Sequence, residues 1–293
     1  IIKVPAEKII CLSTTHLGFL KKLNKQETAV GAGGTEYLYD TLYRRAVKTG
    51  ELHDIGYEGN LNLEKIIQLQ ADLMTIYRIE GEQSEITEIA KRYKLPNILI
   101  NEYLEPSVLG QAEWIKVFGL LTGTEKTADS IFSAAESNYL KLKKKAEEIS
   151  NKPKVLLNMP WKGTWYVPCG NSNIANLIRD AGGQYLWDEA NCRHNRPMSL
   201  ESVYEKAQNA DVWLNPGQAD RRKEILATDE RLGNLPAVKN DRIYNRIARI
   251  SPSGGNDYME SGVINPDKIL SDLIKVLHPE IPDDSLYYYR KVE

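Results

Sequence analysis

Cys192 and His194 stand two apart in a polar loop, with Cys169 earlier in the chain. No other group in the sequence comes as near to a metal-ligand or nucleophile-and-base set. A thiolate and an imidazole there could share a transition metal, or Cys192 could pair with Cys169 as a disulfide. With Cys11 the cysteines number three, which suits a cytosolic enzyme and a large secreted protein equally well. His16, His53 and His278 have no ligand spacing, and no nucleophile, base and orienting group line up. The expectation is a chain with no catalytic residues, no metal of its own and no resident cofactor.

The glycine cluster Gly31-Ala-Gly33-Gly34 follows a strand pattern, as a dinucleotide loop would, but the third glycine of such a loop falls at Glu36. A carboxylate there opposes a pyrophosphate, so the cluster reads as a turn. Neither a Gly-Lys-Ser/Thr phosphate loop nor a Gly-x-Ser-x-Gly elbow is present. The 293 residues carry 38 basic and 40 acidic side chains, net −2, which argues against a general nucleic-acid binder. Lys143, Lys144 and Lys145 lie in an amphipathic helical pattern and are followed by Glu147 and Glu148, unlike a polybasic membrane anchor. No apolar run approaches the roughly 20 residues of a spanning helix. Sixteen Tyr and 5 Trp against 3 Phe suggest aromatic rings with one wet end, facing a cleft or a partner.

The elements that must position these residues alternate. Strand-sized runs at Lys8–Leu12, Thr28–Ala32, Asp72–Tyr77 and Asn97–Ile100 are interleaved with helical patterns at Thr15–Leu23, Glu36–Val47 and Gln83–Tyr93. A long helix follows. Thr122-Gly-Thr-Glu125 reads as a capping box, and Ala128, Phe132, Ala135, Tyr139, Leu142, Ala146 and Ile149 form one stripe up to Pro153. At roughly 39 Å it is long for one small domain and suits a strut. The alternation then restarts, with strands at Lys154–Asn158, Gln184–Trp187, Asp211–Asn215 and Arg242–Asn245 and helices at Asn173–Ala181, Ser199–Ala207 and Pro266–Leu277. The pattern predicts an α/β protein with parallel sheets, divided as residues 1–121, 122–152 and 153–293. A weak repeat links the halves: Asn-Leu-Glu64 leads to Ala-Asp72 and a strand, and Ser-Leu-Glu201 leads to Ala-Asp211 and a strand.

In a parallel sheet the carboxyl ends of the strands form the ligand crevice. Tyr57, Tyr77, Trp161, Trp165 and Tyr166 gather at such ends in both halves, with Arg78 and Asn215 beside them. Singly, each aromatic is more often rim packing than a contact. Together they suggest a cleft for a large, partly apolar ligand.

Four features in order, Gly56–Leu73 (GYEGNLNLEKIIQLQADL), the long helix, Asn234–Tyr244 (NLPAVKNDRIY) and Leu277-His-Pro279, resemble the helical-backbone (class III) substrate-binding proteins of ATP-binding-cassette (ABC) importers. These are the periplasmic proteins for iron-siderophores, haem and cobalamin. The resemblance implies two Rossmann-like lobes bridged by a single long α-helix, with the ligand held between them. It implies a monomer in a periplasmic or other extracytoplasmic space. A signal segment is expected to have been removed ahead of Ile1, and a lipid anchor is one form it could have taken. The implied partners are a permease and its ATPase, docked through Glu64 and Glu201; the bland alternative is that both are acidic first-turn residues favoured by the helix dipole. Tyr57 and Tyr77 are similar in placement to aromatics that contact the corrin in cobalamin-binding members, whereas Arg196 stands where those members carry a further aromatic. Arg78, Arg196 and Arg249 would suit an anionic ferric chelate or haem propionates. Glu260, in a loop similar to one that reaches the cleft, would meet a cationic or hydroxyl-rich group. An iron complex is favoured over a corrinoid, and an α/β enzyme using the same cleft is the competing class.

Overall fold

Ile9–Cys11 (β1) is apolar without alternation, the mark of a strand covered on both faces. The computed structural model, which describes residues 2–57, 60–77, 85–189, 192, 194–281 and 285–293, places it in the middle of a five-stranded sheet. Ala29–Ala32 (β2) and His53–Asp54 (β3) lie on one side of β1, and Leu73–Ile76 (β6) and Asn97–Leu99 (β7) on the other, all parallel. Ile9 and Cys11 face one apolar cluster with Leu17, Phe19 and Phe118, whereas Ile10 and Leu12 face another with Ile66, Met74 and Ile76. Gly56–Tyr57 (β4) and Asn60–Leu61 (β5) form a small antiparallel pair after β3. The helices around this sheet are Thr14–Lys22 (α1), Thr41–Thr49 (α2), Leu63–Gln68 (α3), Glu85–Arg92 (α4), Val108–Glu113 (α5) and Ile115–Thr122 (α6). Ser13, Asp40 and Asn62 cap α1, α2 and α3 by accepting first-turn N–H bonds. Asp40 explains why the second helix starts at Thr41 and not at Glu36.

Glu125–Glu147 (α7) is the longest helix. Thr122 does not cap it. It closes α6, its hydroxyl on Phe118 O, and Gly123 turns the chain at φ +65°, so α7 begins after Thr124. Most of the stripe read from the sequence is buried, Ala128, Phe132, Ala135, Tyr139 and Ala146, whereas Leu142 is half-buried and Ile149 lies past the helix end at Glu147.

The second sheet runs Gln184–Tyr185 (β10), Lys154–Leu157 (β8), Val212–Leu214 (β12), Ile243–Asn245 (β13) and Arg290–Lys291 (β14), parallel except for the last. Thr164–Val167 (β9) and Arg196–Ser199 (β11) make a separate antiparallel ribbon. The helices of this part of the chain are Asn173–Asp180 (α8), Leu200–Ala207 (α9), Arg222–Thr228 (α10) and Pro236–Lys239 (α11). The chain thus has the expected two-lobed α/β fold with parallel sheets and one long helix.

The weak repeat is real in its hydrogen bonds. Asp72 N–H donates to Lys8 O while its carboxylate accepts from Lys8 N–H, each at 2.9 Å. Asp211 does the same with Lys154, at 2.8 and 2.7 Å. Each aspartate pins the start of a central strand to its neighbour.

The two compact units do not follow the chain in simple halves. One comprises residues 1–105, 109–135 and 250–265, the other 106–108, 136–249 and 266–293. Asp257–Ser261 (α12) therefore packs with the first unit, although its chain position falls in the expected 153–293 lobe. Pro266–Leu277 (α13) belongs to the second. There Asp272 accepts from the N–H groups of Tyr287, Tyr288 and Tyr289 and fixes the C-terminal segment.

Gly119 on α6 lies so close to α7 that a Cβ there would sit 2.6 Å from that of Ala128. Helix propensity alone would favour alanine by about 1 kcal/mol. Gly119→Ala is nevertheless expected to destabilise the protein, by about 1–3 kcal/mol, because the clash outweighs propensity. Thermal or urea unfolding that finds the variant as stable as the parent removes this account of the α6–α7 packing.

Candidate functional site

In the first unit the aromatic residues collect just past strand ends. Gly56, at φ +83°, lets the backbone of Asn60 approach to 2.2 Å from where a Cβ would be, closing the β4–β5 pair that presents Tyr57. Tyr37 follows the Gly33-Gly34 turn after β2. Its ring meets that of Tyr57 edge-on at 5.6 Å, and the two are 51% and 38% exposed. Sequence reading missed Tyr37; the signal was the glycine turn, which delivers the next aromatic to the same end of the sheet. Tyr77, directly after β6, is half-buried against the cluster of Ile10, Met74 and Ile76. Arg78 lies outside the described residues.

In the second unit β8 is followed by Asn158, left-handed at φ +63°, whose amide donates to Tyr166 O. The ribbon register pairs Tyr166 with Pro197, Trp165 with Met198 and Val167 with Arg196, so Tyr166 and Arg196 lie on opposite faces. Tyr166 and Trp161, 41% and 62% exposed, have ring centroids 6.4 Å apart, and Lys162 Nζ lies 4.6 Å from the Trp161 ring centroid. Trp165 corrects the expectation of a third pocket aromatic. It is fully buried, stacks on Trp213 at 5.8 Å and donates its indole N–H to Leu157 O, because alternation along β9 turns it inward.

Arg196 is half-buried, and its Nε has no partner among the described residues. Its charge lowers the pKa values of Tyr185 and Glu189, in each case as a minor cause. Asn215 ends β12 at φ +57°, buried, with Oδ1 unpartnered among the described residues. Arg249 lies 4.4 Å from the Tyr287 ring centroid. The structure thus assembles Tyr37 with Tyr57 and Trp161 with Tyr166. It does not bring Arg196 to Tyr166.

Local chemistry decides one question the sequence left open and corrects one reading. Cys192 is joined to Cys169 in a disulfide, so its sulfur is not a ligand or a nucleophile beside His194. Among the described residues no His/Cys/Asp/Glu group is arranged to hold a metal ion. Glu260 does not present its carboxylate to a ligand. It is buried on α12 and accepts from the N–H groups of Tyr39 (2.8 Å) and Asp40 (3.2 Å), clasping residues 250–265 to the first unit.

Glu64 and Glu201 occupy the same place in two helices, the second residue after a capping side chain, and both are exposed. Asn62 accepts from Lys65 N–H at 2.9 Å, and Ser199 from Ser202 N–H at 3.2 Å. Glu201 also meets Arg231, whose Nη2 is 3.2 Å from its Oε1. Backbone hydrogen bonding and Arg231 hold its carboxyl below the usual range.

A family model for periplasmic binding proteins matches residues 9–246. An uncharacterized lipoprotein of Methanocaldococcus jannaschii is 27% identical over 290 residues, covering 96% of this chain and 67% of the relative. Among solved structures, a periplasmic heme binding protein from Pseudomonas aeruginosa superposes with TM-score 0.72 at 15% identity, covering 98% of each chain. The triscatecholate siderophore binding protein FeuA from Bacillus subtilis, solved with ferri-bacillibactin, gives 0.70 at 18% identity and 95% of each.

The Glu260 clasp is expected to respond to pH. Burial pushes its carboxyl from the ordinary 4.5 to about 7, against the pull of the Tyr39 and Asp40 N–H groups and with help from the Asp40 and Asp257 charges. The protonated form is favoured in the folded state, so its contribution is complete below about pH 4.5 and is lost as pH rises through about 7. Glu260→Gln is expected to remove a fall in stability on the order of a few kcal/mol across that window. Denaturant titrations of parent and variant at pH 4.5 and 7.5 measure it; parallel pH profiles would contradict the assignment.

Proposed function

The chain belongs to the periplasmic binding protein family, and from that premise we propose that it is the solute-binding component of an ABC importer for a large iron complex, a ferric siderophore or haem. The observation that carries this reading is the pair of exposed aromatic couples, Tyr37 with Tyr57 and Trp161 with Tyr166, each placed past the carboxyl ends of a parallel sheet. Flat or aryl-rich chelates bury well against such rings. The heme-binding and siderophore-binding names of two structural neighbours support the same class. Arg249 supplies positive charge for carboxylates or catecholates on the ligand, whereas Arg196 lies on the ribbon face away from Tyr166. Asn215 adds a buried amide at the end of β12. The placement of Tyr57 and Tyr77 favours a second reading, a corrinoid.

The protein acts as a monomeric carrier, not an enzyme, and hands its ligand to a permease and ATPase through Glu64 and Glu201. Its place is outside the cytoplasm, held by a lipid anchor. The lipoprotein name of its relative supports this, as does the disulfide, which persists in oxidising surroundings.

Titration with a ferric catecholate siderophore, haem and cobalamin is expected to give saturable quenching of Trp and Tyr fluorescence with one iron complex. Trp161→Ala and Tyr57→Ala should each weaken that binding about tenfold, or about 1.4 kcal/mol. No saturable response to any of the three would reject the ligand class. Charge reversal of Glu64 and Glu201 together is expected to abolish uptake while affinity stays intact; a collapse of affinity would place them in the pocket instead.

A further inference from the structure

The two docking glutamates share a helix position but not a charge environment. Among the described residues, Glu64 has one side-chain partner, the Gln68 amide at 3.4 Å. Glu201 has a guanidinium. Arg231 Nη2 reaches Glu201 Oε1 at 3.2 Å, a single hydrogen bond. The same guanidinium is gripped in a fork by Asp229, Nη2 to Oδ2 at 2.7 Å and Nε to Oδ1 at 3.0 Å. Asp229 is itself fixed by the N–H of Arg231, which donates to Oδ1 at 2.9 Å. Arg231 is therefore held by Asp229 whether or not Glu201 is present, and Glu201 is the loosely bound member of the three.

We propose that Arg231 is a built-in competitor for the Glu201 carboxylate, occupying it in the free protein and yielding it to a guanidinium of the membrane partner. The proposal rests on the docking reading above and adds a regulatory element to it. A carboxylate held by one bond on one oxygen gains on exchange to a bidentate fork. Nothing is orphaned by the exchange, because Asp229 keeps Arg231 paired. The first-unit corner offers an uncompensated carboxylate, which attracts a cation at distance. The second-unit corner carries the same net charge, two carboxylates on one guanidinium, but its Glu201 oxygen is already occupied, so it closes by exchange. The two contacts are thus unequal although their helices and caps are alike.

The experiment uses the full protein and its cognate permease–ATPase complex in lipid nanodiscs, with binding read by surface plasmon resonance at low and physiological salt. Arg231→Gln is expected to tighten the complex about two- to fivefold, the scale of one exposed ion pair. Glu201→Gln should weaken it, and the double variant should match Glu201→Gln alone, since the competitor then has nothing to compete for. Circular dichroism confirms that Arg231→Gln is folded. If Glu64→Gln and Glu201→Gln weaken binding while Arg231→Gln leaves it unchanged or weakens it, Arg231 does not compete and this proposal falls while docking stands. If neither glutamate variant alters binding, the docking reading itself fails and takes the competitor role with it.

Discussion

One apolar stripe on α7 has to satisfy two hydrophobic cores. Ala128 and Phe132 enter the cluster built on Leu17, Phe19 and Phe118, while Tyr139 and Ala146 are buried in the second unit, where the Tyr139 hydroxyl reaches Asp180 at 2.6 Å. The stripe is continuous because residues three and four apart share a helix face. A change of phase at its middle would leave one unit with a polar face where it needs a ring. The small residues matter as much as the large ones. Gly119 and Ala128 bring α6 and α7 together, and a bulkier side chain at either would push the helix off one sheet.

Much of this was legible because it is local. The central strands announce themselves as short apolar runs, Ser199 as the start of a helical pattern, and the α7 stripe as a steady alternation of threes and fours. The parts that stayed hidden depend on distant partners. The β9–β11 ribbon pairs Trp165 with Met198, and nothing near Trp165 in the sequence says which side of that ribbon is dry. The run Ile115–Leu121 forms α6 and is stopped by Gly123, so the Thr122 motif belonged to the end of one helix and not to the start of the next. Glu260 looked like a ligand group because its loop is similar to one that reaches the cleft in the family. Its carboxylate is taken by two backbone amides more than two hundred residues earlier in the chain.

The surplus of tyrosine and tryptophan over phenylalanine has two physical origins. Some rings are wet, as Tyr37, Tyr57, Trp161 and Tyr166 are. Others are in the core with their polar ends satisfied by main-chain carbonyls: Tyr43 on Leu17, Tyr185 on Pro168, Trp165 on Leu157 and Trp213 on Asn158. Each of those bonds fixes a ring's direction as well as its depth, which phenylalanine cannot do. Composition alone cannot separate the two populations, since both need a ring with one polar atom. The exposed rings are therefore fewer than the aromatic count suggests: in the first unit they lie past β2 and on the β4–β5 pair, and in the second past β8.

The assignment of residues 250–265 to the first unit has a consequence for how the chain is made. Ile264 is part of the core that also holds Leu17, Phe19 and Phe118, and Glu260 secures the backbone at Tyr39 and Asp40. A chain emerging from its N-terminus presents β1, β2 and β6 early but has to wait for residue 264 before that core can be filled. The second unit waits for α13, which follows immediately. Both units therefore reach their final packing within the same short stretch of chain, once residues 264–293 have been made. A nascent chain halted midway would hold neither a finished first half nor a finished second, only sheets with an open side.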